Sequence, residues 1–307
     1  MVDRRALVLV VVAVALLVGA CGDDEEPVDR SAPPAGLRVA SFDFGESELL
    51  AELYAQGAEL VGVPVDRLGP VGPREITAPA LEQGRIDLVP EYLGTASLFF
   101  GVEEVARDPL TARLDLIDRL EHRGLTALGL SRARDINVVV VSGDTAAELG
   151  LRSVSDLVPV AGSLRFGGPP ECPERDLCLR GLEAAYGLAF AEFVPQPSLA
   201  FTAEALRRDE IDVGLLFSTA GELVDGDLLV LRDDRDLQPP DHVVPIVRLD
   251  ALERWGPELA EIADLISRTM TTGELRSLNR RVADGDDVAT VASQWLLTAV
   301  GSEPEGG

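Results

Sequence analysis

Two short stretches place an aromatic ring beside hydroxyl groups directly after a predicted strand. The first is Glu91-Tyr92-Leu93-Gly94-Thr95, which follows the apolar run 86–89 and Pro90. The second is Phe217-Ser218-Thr219, which follows the apolar run 211–216. Ligands of open α/β sheets bind just beyond the carboxyl ends of the strands. The two stretches therefore predict two halves of one ligand site, with candidate contacts at Tyr92, Thr95, Phe217, Ser218 and Thr219.

Each stretch closes a similar helix–strand unit. A short amphipathic helix follows Pro73 and ends at Gly84, a residue type that favours helix ends. The same order of helix and strand returns between residues 199 and 216. Asp87 and Asp212 lie within these repeats and are interpreted as structural. Two such units predict two similar lobes that face one ligand.

Strands alternate with helices along the rest of the chain, which predicts an α/β architecture. The further predicted strands are 37–41, 136–141, 164–166, 228–231 and 243–247. The further predicted helices are 46–61, 93–100, 109–123, 179–186, 252–267 with a break at Pro257, 273–283 and 288–300. In the helix 109–123, the spacing predicts a buried stripe of Leu110, Leu114, Ile117 and Leu120.

The charge of the chain restricts its partners. The 307 residues carry a net charge of −26, and all 27 basic residues are arginine. A surface this acidic repels nucleic acid, so no nucleic-acid partner is expected. It favours cationic or zwitterionic small molecules, although an acidic face that only keeps the protein soluble is the simpler interpretation.

The N-terminus is typical of an export signal. Arg4-Arg5 precede an apolar run, 6–17, and then Val18-Gly19-Ala20-Cys21. The run is shorter than the ~20 apolar residues that a spanning helix needs. Small residues before a cysteine resemble the cleavage site of bacterial lipoproteins, which would leave Cys21 as a lipidated N-terminus. An uncleaved anchor, or a signal followed by a chance cysteine, is the alternative. Residues 22–36 are then an acidic, proline-containing linker.

Export would place the other two cysteines in an oxidising compartment. With Cys21 acylated, Cys172 and Cys178 are free to pair, and a bridge so local would fix the shape of one small loop. A two-cysteine metal site is the alternative. The two histidines, His122 and His242, lie far apart without ligand spacing, so no metal is expected.

No motif in the sequence indicates catalysis. There is no Gly-x-Ser-x-Gly elbow and no phosphate-binding loop. Acid pairs carry no information in a chain with 53 Asp and Glu residues. The chain is therefore not expected to be an enzyme, and no cofactor is expected.

Several separated blocks of sequence follow the order of a known family. They are Val39-Ala40-Ser41, Arg74-Glu75 before Pro79-Ala80-Leu81, Gly84 to Leu88 before Pro90-Glu91-Tyr92 and Gly94-Thr95, Ser155-Asp156-Leu157, Tyr186-Gly187, Ile211-Asp212-Val213, Phe217-Ser218-Thr219, and Leu231 to Asp234 before Pro239-Pro240. On these blocks the chain, over residues 37–300, resembles the substrate-binding lipoproteins of osmoprotectant ABC transporters, which take glycine betaine, choline or carnitine. The resemblance implies a type II periplasmic-binding fold of two lobes, each a mixed sheet flanked by helices, joined by two crossover segments.

In that family, aromatic rings enclose a quaternary ammonium group, and an arginine holds the ligand's carboxylate where there is one. A trimethylammonium group has no N–H to donate, so ring faces are its best partners. A planar guanidinium matches a carboxylate. The resemblance implies Tyr92 as a box ring, Thr95 as a polar contact and Arg175 as the carboxylate-binding residue. It also places Phe217 where relatives often have tyrosine, and Phe42 where they often have lysine.

Two tyrosines of the family pattern are absent. Where relatives carry one near the first crossover, the chain reads Asp135-Ile136-Asn137-Val138-Val139, and Asn137 is included among the expected ligand contacts. Where they carry another, it reads Phe201-Thr202-Ala203. The aromatic residues left to line the cleft are Phe42, Tyr92, Phe217 and Phe201. A ligand of this class is expected, and glycine betaine itself is put in question.

Three of these residues also have ordinary structural interpretations. Tyr92 could be a half-buried aromatic residue, and Phe217 could be a core residue. Arg175 could pair with a nearby acid such as Glu171, Glu174 or Asp176.

Taken together, the sequence predicts an extracytoplasmic substrate-binding lipoprotein of an ABC importer. The expected segments are a signal peptide 1–21 with lipidated Cys21, a linker 22–36, a first lobe 37–134 plus 240–300, a second lobe 135–239 and a tail 301–307. The lobes would close by a hinge over a small quaternary-ammonium or zwitterionic solute. The closed monomer, held at the outer face of the cell membrane by its lipid, would dock on a membrane permease. A related protein that binds another solute, or an interaction lipoprotein that lost its ligand, is the alternative.

Overall fold

The computed structural model describes residues 35–301, with side chains described as far as residue 299. The predicted signal peptide, Cys21, nearly all of the linker and the predicted tail beyond residue 301 lie outside the described residues. Within 35–301, no helix is long and apolar enough to cross a bilayer.

Ten strands and eleven helices make up the described part of the chain. The strands are β1 (Leu37–Ser41), β2 (Val65–Pro70), β3 (Leu88–Tyr92), β4 (Leu125–Ala127), β5 (Asn137–Ser142), β6 (Arg165–Gly168), β7 (Glu192–Pro195), β8 (Val213–Phe217), β9 (Leu228–Val230) and β10 (Val243–Arg248). The helices are α1 (Gly45–Leu60), α2 (Arg74–Glu82), α3 (Leu93–Phe99), α4 (Pro109–Glu121), α5 (Gly143–Leu149), α6 (Leu179–Tyr186), α7 (Leu199–Arg207), α8 (Leu249–Trp255), α9 (Pro257–Thr269), α10 (Thr272–Ala283) and α11 (Val288–Gly301).

The strands form two five-stranded mixed sheets with the same internal order, one in each lobe. The first sheet runs β2-β1-β3-β10-β4, and the second runs β7-β6-β8-β5-β9. In the first sheet, β2, β1 and β3 are parallel, and β10, which enters from the other lobe, pairs antiparallel to β3. In the second sheet, β7, β6 and β8 are parallel, and β5 pairs antiparallel to β8 in the same way. The predicted two-lobe α/β fold is therefore confirmed.

Two crossover segments connect the lobes, one between β4 and β5 and one between β9 and β10. They run side by side: the Asp135 N–H donates to the Asp241 carbonyl at 2.9 Å, and the Val243 N–H donates to the Ala133 carbonyl at 3.1 Å. A bridge between Arg134 and His242 makes the pairing antiparallel. The connection between the lobes is thus a short two-stranded ribbon.

Each sheet is covered on both faces by apolar side chains. In β1, Leu37 and Val39 pack with α1, while Ala40 lies in the cluster on the opposite face. The second lobe repeats this division into two clusters. Because successive side chains of a strand point to opposite faces, the mostly apolar strands are buried on both sides.

The repeated helix–strand units carry matching ion pairs. The buried Asp87 carboxylate accepts hydrogen bonds from the Arg38 backbone N–H at 3.0 Å and from its guanidinium at 2.8 and 2.6 Å. In the second lobe, Asp212 accepts from the backbone and guanidinium of Arg165 in the same way. Asp87 ties the start of β3 to β1, and Asp212 ties the start of β8 to β6. Both contacts agree with the structural interpretation of the two aspartates.

Some details of the sequence-based expectation are wrong. Leu110 and Leu114 are 67% and 62% exposed, and the buried stripe of α4 consists of Ala112, Leu116 and Leu120. Three strands, β2, β4 and β7, were not expected in full. All three lie at sheet edges, where a strand is short or polar and its alternation is weak.

The matched pairs predict different losses of stability. Replacing Asp87 with alanine leaves the Arg38 guanidinium without its buried partner, and we expect the free energy of unfolding to fall by about 3–5 kcal/mol. Replacing Asp212, whose side chain is 25% exposed, should cost only about 1–2 kcal/mol. Urea denaturation followed by circular dichroism measures both. Equal losses would show that burial does not distinguish the two pairs.

Candidate ligand site

The carboxyl ends of β3 and β8 meet the two crossover segments in equivalent ways. Tyr92 at the end of β3 pairs with Val243, and Phe217 at the end of β8 pairs with Asn137. Two residues before each of these partners, both crossovers carry an aspartate, Asp241 and Asp135 respectively. Each lobe therefore brings an aromatic residue and a carboxyl group to the junction.

Asp241 is bound by backbone donors of the first lobe. Its Oδ1 accepts from the backbone N–H of Gly94 at 2.6 Å and of Thr95 at 3.1 Å, in the first turn of α3. A side chain at Gly94 would meet Pro239 at 3.1 Å and Asp241 Oδ1 at 3.2 Å. Glycine is thus needed for this close approach of α3 to the second crossover.

Asp135 occupies the equivalent place with a weaker partner. Its Oδ1 accepts a hydrogen bond from the Thr219 hydroxyl at 2.9 Å. No backbone N–H bonds to its side chain among the described residues.

A third carboxyl group, Glu46 in the first turn of α1, joins the two lobes. It accepts from the Tyr92 hydroxyl at 2.7 Å and from the Asn279 side chain at 2.5 Å. The Asn279 amide also donates to the Thr219 carbonyl at 3.0 Å. The Thr219 hydroxyl, which bonds to Asp135, lies against the Glu46 carboxyl group as well. Residues from α1, β3, α10 and the end of β8 therefore meet in one polar cluster.

An aromatic stack borders this cluster. The Phe44 ring lies 5.9 Å from Phe42 and 6.3 Å from Tyr92, and both contacts are stacked. Phe42 and Tyr92 are buried, whereas Phe44 is 42% exposed. Phe44 is thus the member of the stack that can offer a ring face to a solute.

Burial makes the carboxyl groups of the cluster hard to ionise. Removal from water raises the pKa of Glu46, against the hydrogen bonds from Thr219, Tyr92 and Asn279. Burial, and then the charge of Glu46, raise the pKa of Asp135 well above its ordinary value. Burial raises the pKa of Asp241 to about 6.

Arg74, the guanidinium beside this region, is already committed. It donates to both oxygens of the buried Glu91 at 2.8 Å each. It also lies over the Phe42 ring, 5.3 Å from the ring centre. The pair leaves no net positive charge there to hold an anion.

Of the residues expected from the sequence, the structure brings Tyr92, Thr95 and Thr219 to the junction. The Thr95 hydroxyl accepts from Arg74 at 3.3 Å, next to its backbone contact with Asp241. Phe42 lies beneath Phe44 rather than at the surface. The roles of Tyr92, Thr95, Thr219 and Phe42 as ligand contacts stay predictions.

The second-lobe residues are placed differently. Phe217 is 40% exposed, but within the described part of the chain it makes no ring contact with the stack. Ser218 is buried; its hydroxyl donates to the Arg134 carbonyl at 2.6 Å and accepts from the Ile136 N–H at 3.1 Å, so it fastens the first crossover. The Asn137 amide donates to the Leu177 carbonyl at 3.1 Å.

Arg175 lies apart from the polar cluster. Its guanidinium pairs with Glu171 at 2.8 Å, and the two side chains are 60% and 48% exposed. Cys172 and Cys178 form a disulfide in the same loop, with Cα atoms 5.3 Å apart. The structure thus shows the alternative interpretation of Arg175, a pair with a nearby acid. The contact of Arg175 with a ligand carboxylate stays a prediction.

The residues that build the cluster were not predicted from the sequence as site residues. They are Phe44, Glu46, Asp135, Asp241 and Asn279. Phe44 and Glu46 come just after the end of β1, where the rule that ligands bind beyond strand ends applies equally. For Asn279, no local pattern in the sequence indicates the contact, because it lies 233 positions from Glu46.

One groove of the first lobe is not part of this site. It has a volume of about 390 Å³ and is lined by β1, α1, β2 and the start of α11. No aromatic residue lines it, so it lacks the group that a quaternary ammonium needs. Within residues 35–301, no group of three or more His, Cys, Asp or Glu side chains could hold a metal ion.

Two similar lobes, joined by a ribbon and presenting rings and carboxyl groups at their junction, define a two-lobe solute-binding protein. The chain belongs to the family described as the substrate-binding domain of the ABC-type glycine betaine transport system, which matches residues 35–297.

Relatives and solved structures agree with this assignment. The chain is 27% identical over 256 residues to the glycine-betaine-binding protein of Pseudomonas aeruginosa, covering 80% of this chain and 82% of that protein. It is 26% identical over 270 residues to the carnitine transport binding protein OpuCC of Listeria monocytogenes, covering 85% of each. The crystal structure of a glycine betaine/carnitine/choline ABC transporter protein superposes with a TM-score of 0.79 at 23% identity, over 85% of this chain and 98% of that chain. The structure of apo YehZ from Escherichia coli superposes with a TM-score of 0.75 at 24% identity, over 86% of this chain and 99% of that chain. The structural matches show the shared fold.

The raised pKa of Asp241 predicts a pH dependence of stability. With a folded pKa of about 6 against an ordinary 3.8, the native state holds a proton that the unfolded chain has lost, so this residue destabilises the fold as pH rises through that window. Asp241→Asn keeps the acceptor oxygen and cannot ionise. Relative to the parent, its free energy of unfolding should gain on the order of 2–3 kcal/mol between pH 4 and 7.

Urea denaturation at a series of pH values tests this expectation. Asp227→Asn serves as the control, because hydrogen bonds from Arg207 lower the pKa of Asp227. Relative to the parent, the free energy of unfolding of Asp227→Asn should fall as pH rises, which is the opposite direction. A pH-independent difference for Asp241→Asn would contradict the assignment.

Proposed function

We propose that this chain is the extracytoplasmic substrate-binding lipoprotein of an ABC importer. It captures a small quaternary-ammonium or zwitterionic solute between its lobes and delivers it to a membrane permease. The observation that carries the proposal is the exposed Phe44 ring on the Phe42–Tyr92 stack, beside Glu46 and Asp135 at the junction of the lobes.

The chemistry of this junction suits such a solute. A quaternary ammonium group cannot donate hydrogen bonds, so it is held by ring faces and by negative charge in a place without water. Phe44 supplies a ring face, and the carboxyl groups supply negative potential. Phe217, exposed at the end of β8, is the ring that the second lobe would add on closure.

The proposed lobes are 37–134 plus 240–300 and 135–239. The paired crossovers support hinge closure, because a short ribbon can bend while both sheets stay intact. Polar contacts cross the junction: the Arg276 guanidinium donates to the Ser218 carbonyl at 2.7 Å, and the Asn279 amide donates to the Thr219 carbonyl at 3.0 Å. Such contacts re-form with water when the lobes separate, so opening costs little.

Exposed aromatic residues give a direct test of the site. Phe44→Ala removes the exposed ring of the stack, and we expect the dissociation constant for a quaternary ammonium ligand to rise about 5- to 30-fold. Leu110→Ala is the control, because Leu110 is an apolar side chain that is 67% exposed on α4 and takes no part in the ring stack or the polar cluster. Its affinity should equal that of the parent protein.

Isothermal titration calorimetry with glycine betaine, choline and carnitine measures these constants. Both variants should keep the parent melting temperature, since neither residue is buried. Unchanged affinity in Phe44→Ala, together with binding by the parent, would remove the stack from the site. No binding of any of the three ligands by the parent would overturn the proposed solute class.

The proposed lipid anchor predicts where the protein is found. Cys21→Ser removes the acylated residue, so the full chain expressed in a bacterial host should move from the membrane fraction to the soluble fraction. Mass spectrometry of the parent protein should show a diacylglyceryl group on Cys21. A parent protein that lacks this group would contradict the anchor and leave the ligand site untouched.

A further inference from the structure

One helix of the first lobe contacts the second lobe directly, in addition to the two crossovers. One face of α10 is built into the first lobe, because Leu275 and Leu278 are buried in the apolar cluster that also contains residues of α1, α9 and α11. The other face carries polar side chains that contact the segment 218–225, which follows β8 in the second lobe. α10 therefore lies across the junction of the lobes.

The segment 218–225 is fixed just as firmly in the second lobe. Ala220 and Leu223 are buried in one of the two apolar clusters of that lobe. Ser218 fastens the start of the segment to the first crossover through its hydroxyl. Two parts that are each anchored in their own lobe thus meet here, so this contact restrains the angle between the lobes.

Hydrogen bonds and an ion pair join the two parts. The Arg276 guanidinium donates to the Ser218 carbonyl from two nitrogens, at 3.1 and 2.7 Å. The Asn279 amide donates to the carbonyl of the following residue at 3.0 Å, and Arg280 pairs with Asp225 at 2.9 Å. Within residues 35–301, Arg276 forms no ion pair, so its partner is a backbone carbonyl of the other lobe.

The closest approach is between the two backbones. A Cβ atom added at Gly221 would lie 2.8 Å from the Arg280 Cα and 2.9 Å from the Arg280 backbone nitrogen. Gly221 does not have a positive φ. Glycine is therefore required here by the contact with α10 and not by the local conformation of the chain.

We infer that α10 and the segment 218–225 form an interlobe contact that holds the two halves of the ligand site together, so that its strength sets the fraction of the protein that is ready to bind. Asn279 links this contact to the site, because its amide also donates to Glu46 in the polar cluster. A protein that binds only in one arrangement has its affinity reduced by the fraction of molecules in that arrangement. The effect on affinity rests on the proposed function, whereas the effect on the arrangement of the lobes does not.

The contact is graded along α10. The Thr272 hydroxyl, at the start of the helix, accepts from the backbone N–H of Arg134 in the first crossover at 3.1 Å. Arg280, two turns later, reaches Asp225 beyond the crossover. If the ribbon bends, the start of α10 stays near the crossover and the contacts around Arg280 separate.

Gly221→Ala places a methyl group in the interlobe contact without straining the backbone. We expect it to shift the protein toward separated lobes and to raise the dissociation constants for glycine betaine, choline and carnitine by one common factor, about 3- to 30-fold. Gly162→Ala is the matched control, because it is the same substitution in a short turn of the second lobe where an added Cβ has no neighbour within 4 Å. It should change neither the arrangement nor the affinities.

Pulsed electron paramagnetic resonance measures the arrangement without any ligand. Spin labels on Asp115→Cys in α4 and Glu148→Cys in α5 report the distance between the lobes, in the full chain with Cys21→Ser so that no third thiol is labelled. The Gly221→Ala protein should show a second population of distances that the parent and Gly162→Ala lack. Calorimetry with the three ligands then gives the affinities.

Arg276→Ala is a second variant that does not depend on Gly221→Ala being able to fold. It removes the donor to the Ser218 carbonyl and should shift the distances in the same direction, with a loss of affinity of about 2- to 10-fold. Arg113→Ala is its control, because Arg113 also donates to backbone carbonyls, those of Leu128 and Ala127, but within the first lobe. A lowered melting temperature is expected for both variants, and shifted distances only for Arg276→Ala.

The outcomes separate this inference from the proposed function. Distances that match the parent in Arg276→Ala and in any folded Gly221→Ala protein overturn the interlobe contact and leave the proposed function intact. A loss of affinity for only one of the three ligands also overturns it, because that result indicates a direct ligand contact. Shifted distances, together with no binding of any of the three ligands by the parent, support the interlobe contact and overturn the proposed solute class.

Discussion

The pairing of the two crossover segments is the constraint on which the site depends. Backbone hydrogen bonds from Asp135 to Asp241 and from Val243 to Ala133 hold the crossovers together. Because each crossover continues into the long antiparallel strand of the next lobe, this ribbon sets where the ends of β3 and β8 lie. Tyr92, Phe217 and the two aspartates take their positions from it. The ribbon is therefore both the connection between the lobes and the floor of the site.

The internal repeat explains why both lobes contribute to the site. The two lobes differ in how they bind the equivalent aspartates. Asp135 and Asp241 are equivalent by strand register. In the first lobe, two backbone N–H groups bind Asp241, whereas in the second a single hydroxyl binds Asp135. The same position thus serves as a helix-end anchor in one lobe and as an incompletely bound carboxyl group in the other. Glu46 reaches this second position from the first lobe, so carboxyl groups are concentrated where the lobes meet.

The proposed site combines aromatic and acidic groups, both of which suit a quaternary ammonium group. A ring face attracts an ammonium group without needing a hydrogen bond, and carboxylates add attraction in a place from which water is excluded. The resemblance in sequence predicts fewer rings here than the family pattern, because it aligns Asn137 and Ala203 with positions at which relatives carry tyrosine.

The sequence by itself determined the alternation of strands and helices, the two repeated units and the resemblance to a family, because periodicity, turn residues and ordered motifs are local. It also indicated Tyr92, Thr95 and Thr219, since strand ends can be located from composition. Only the tertiary structure decided that Arg175 pairs with Glu171 and that Phe44 is the exposed ring. It alone brought Glu46 to Asp135 and Asn279, which are separated by long stretches of chain. Contacts of this kind depend on strand register and on the packing of α10 across the junction, and no local pattern of residues encodes either.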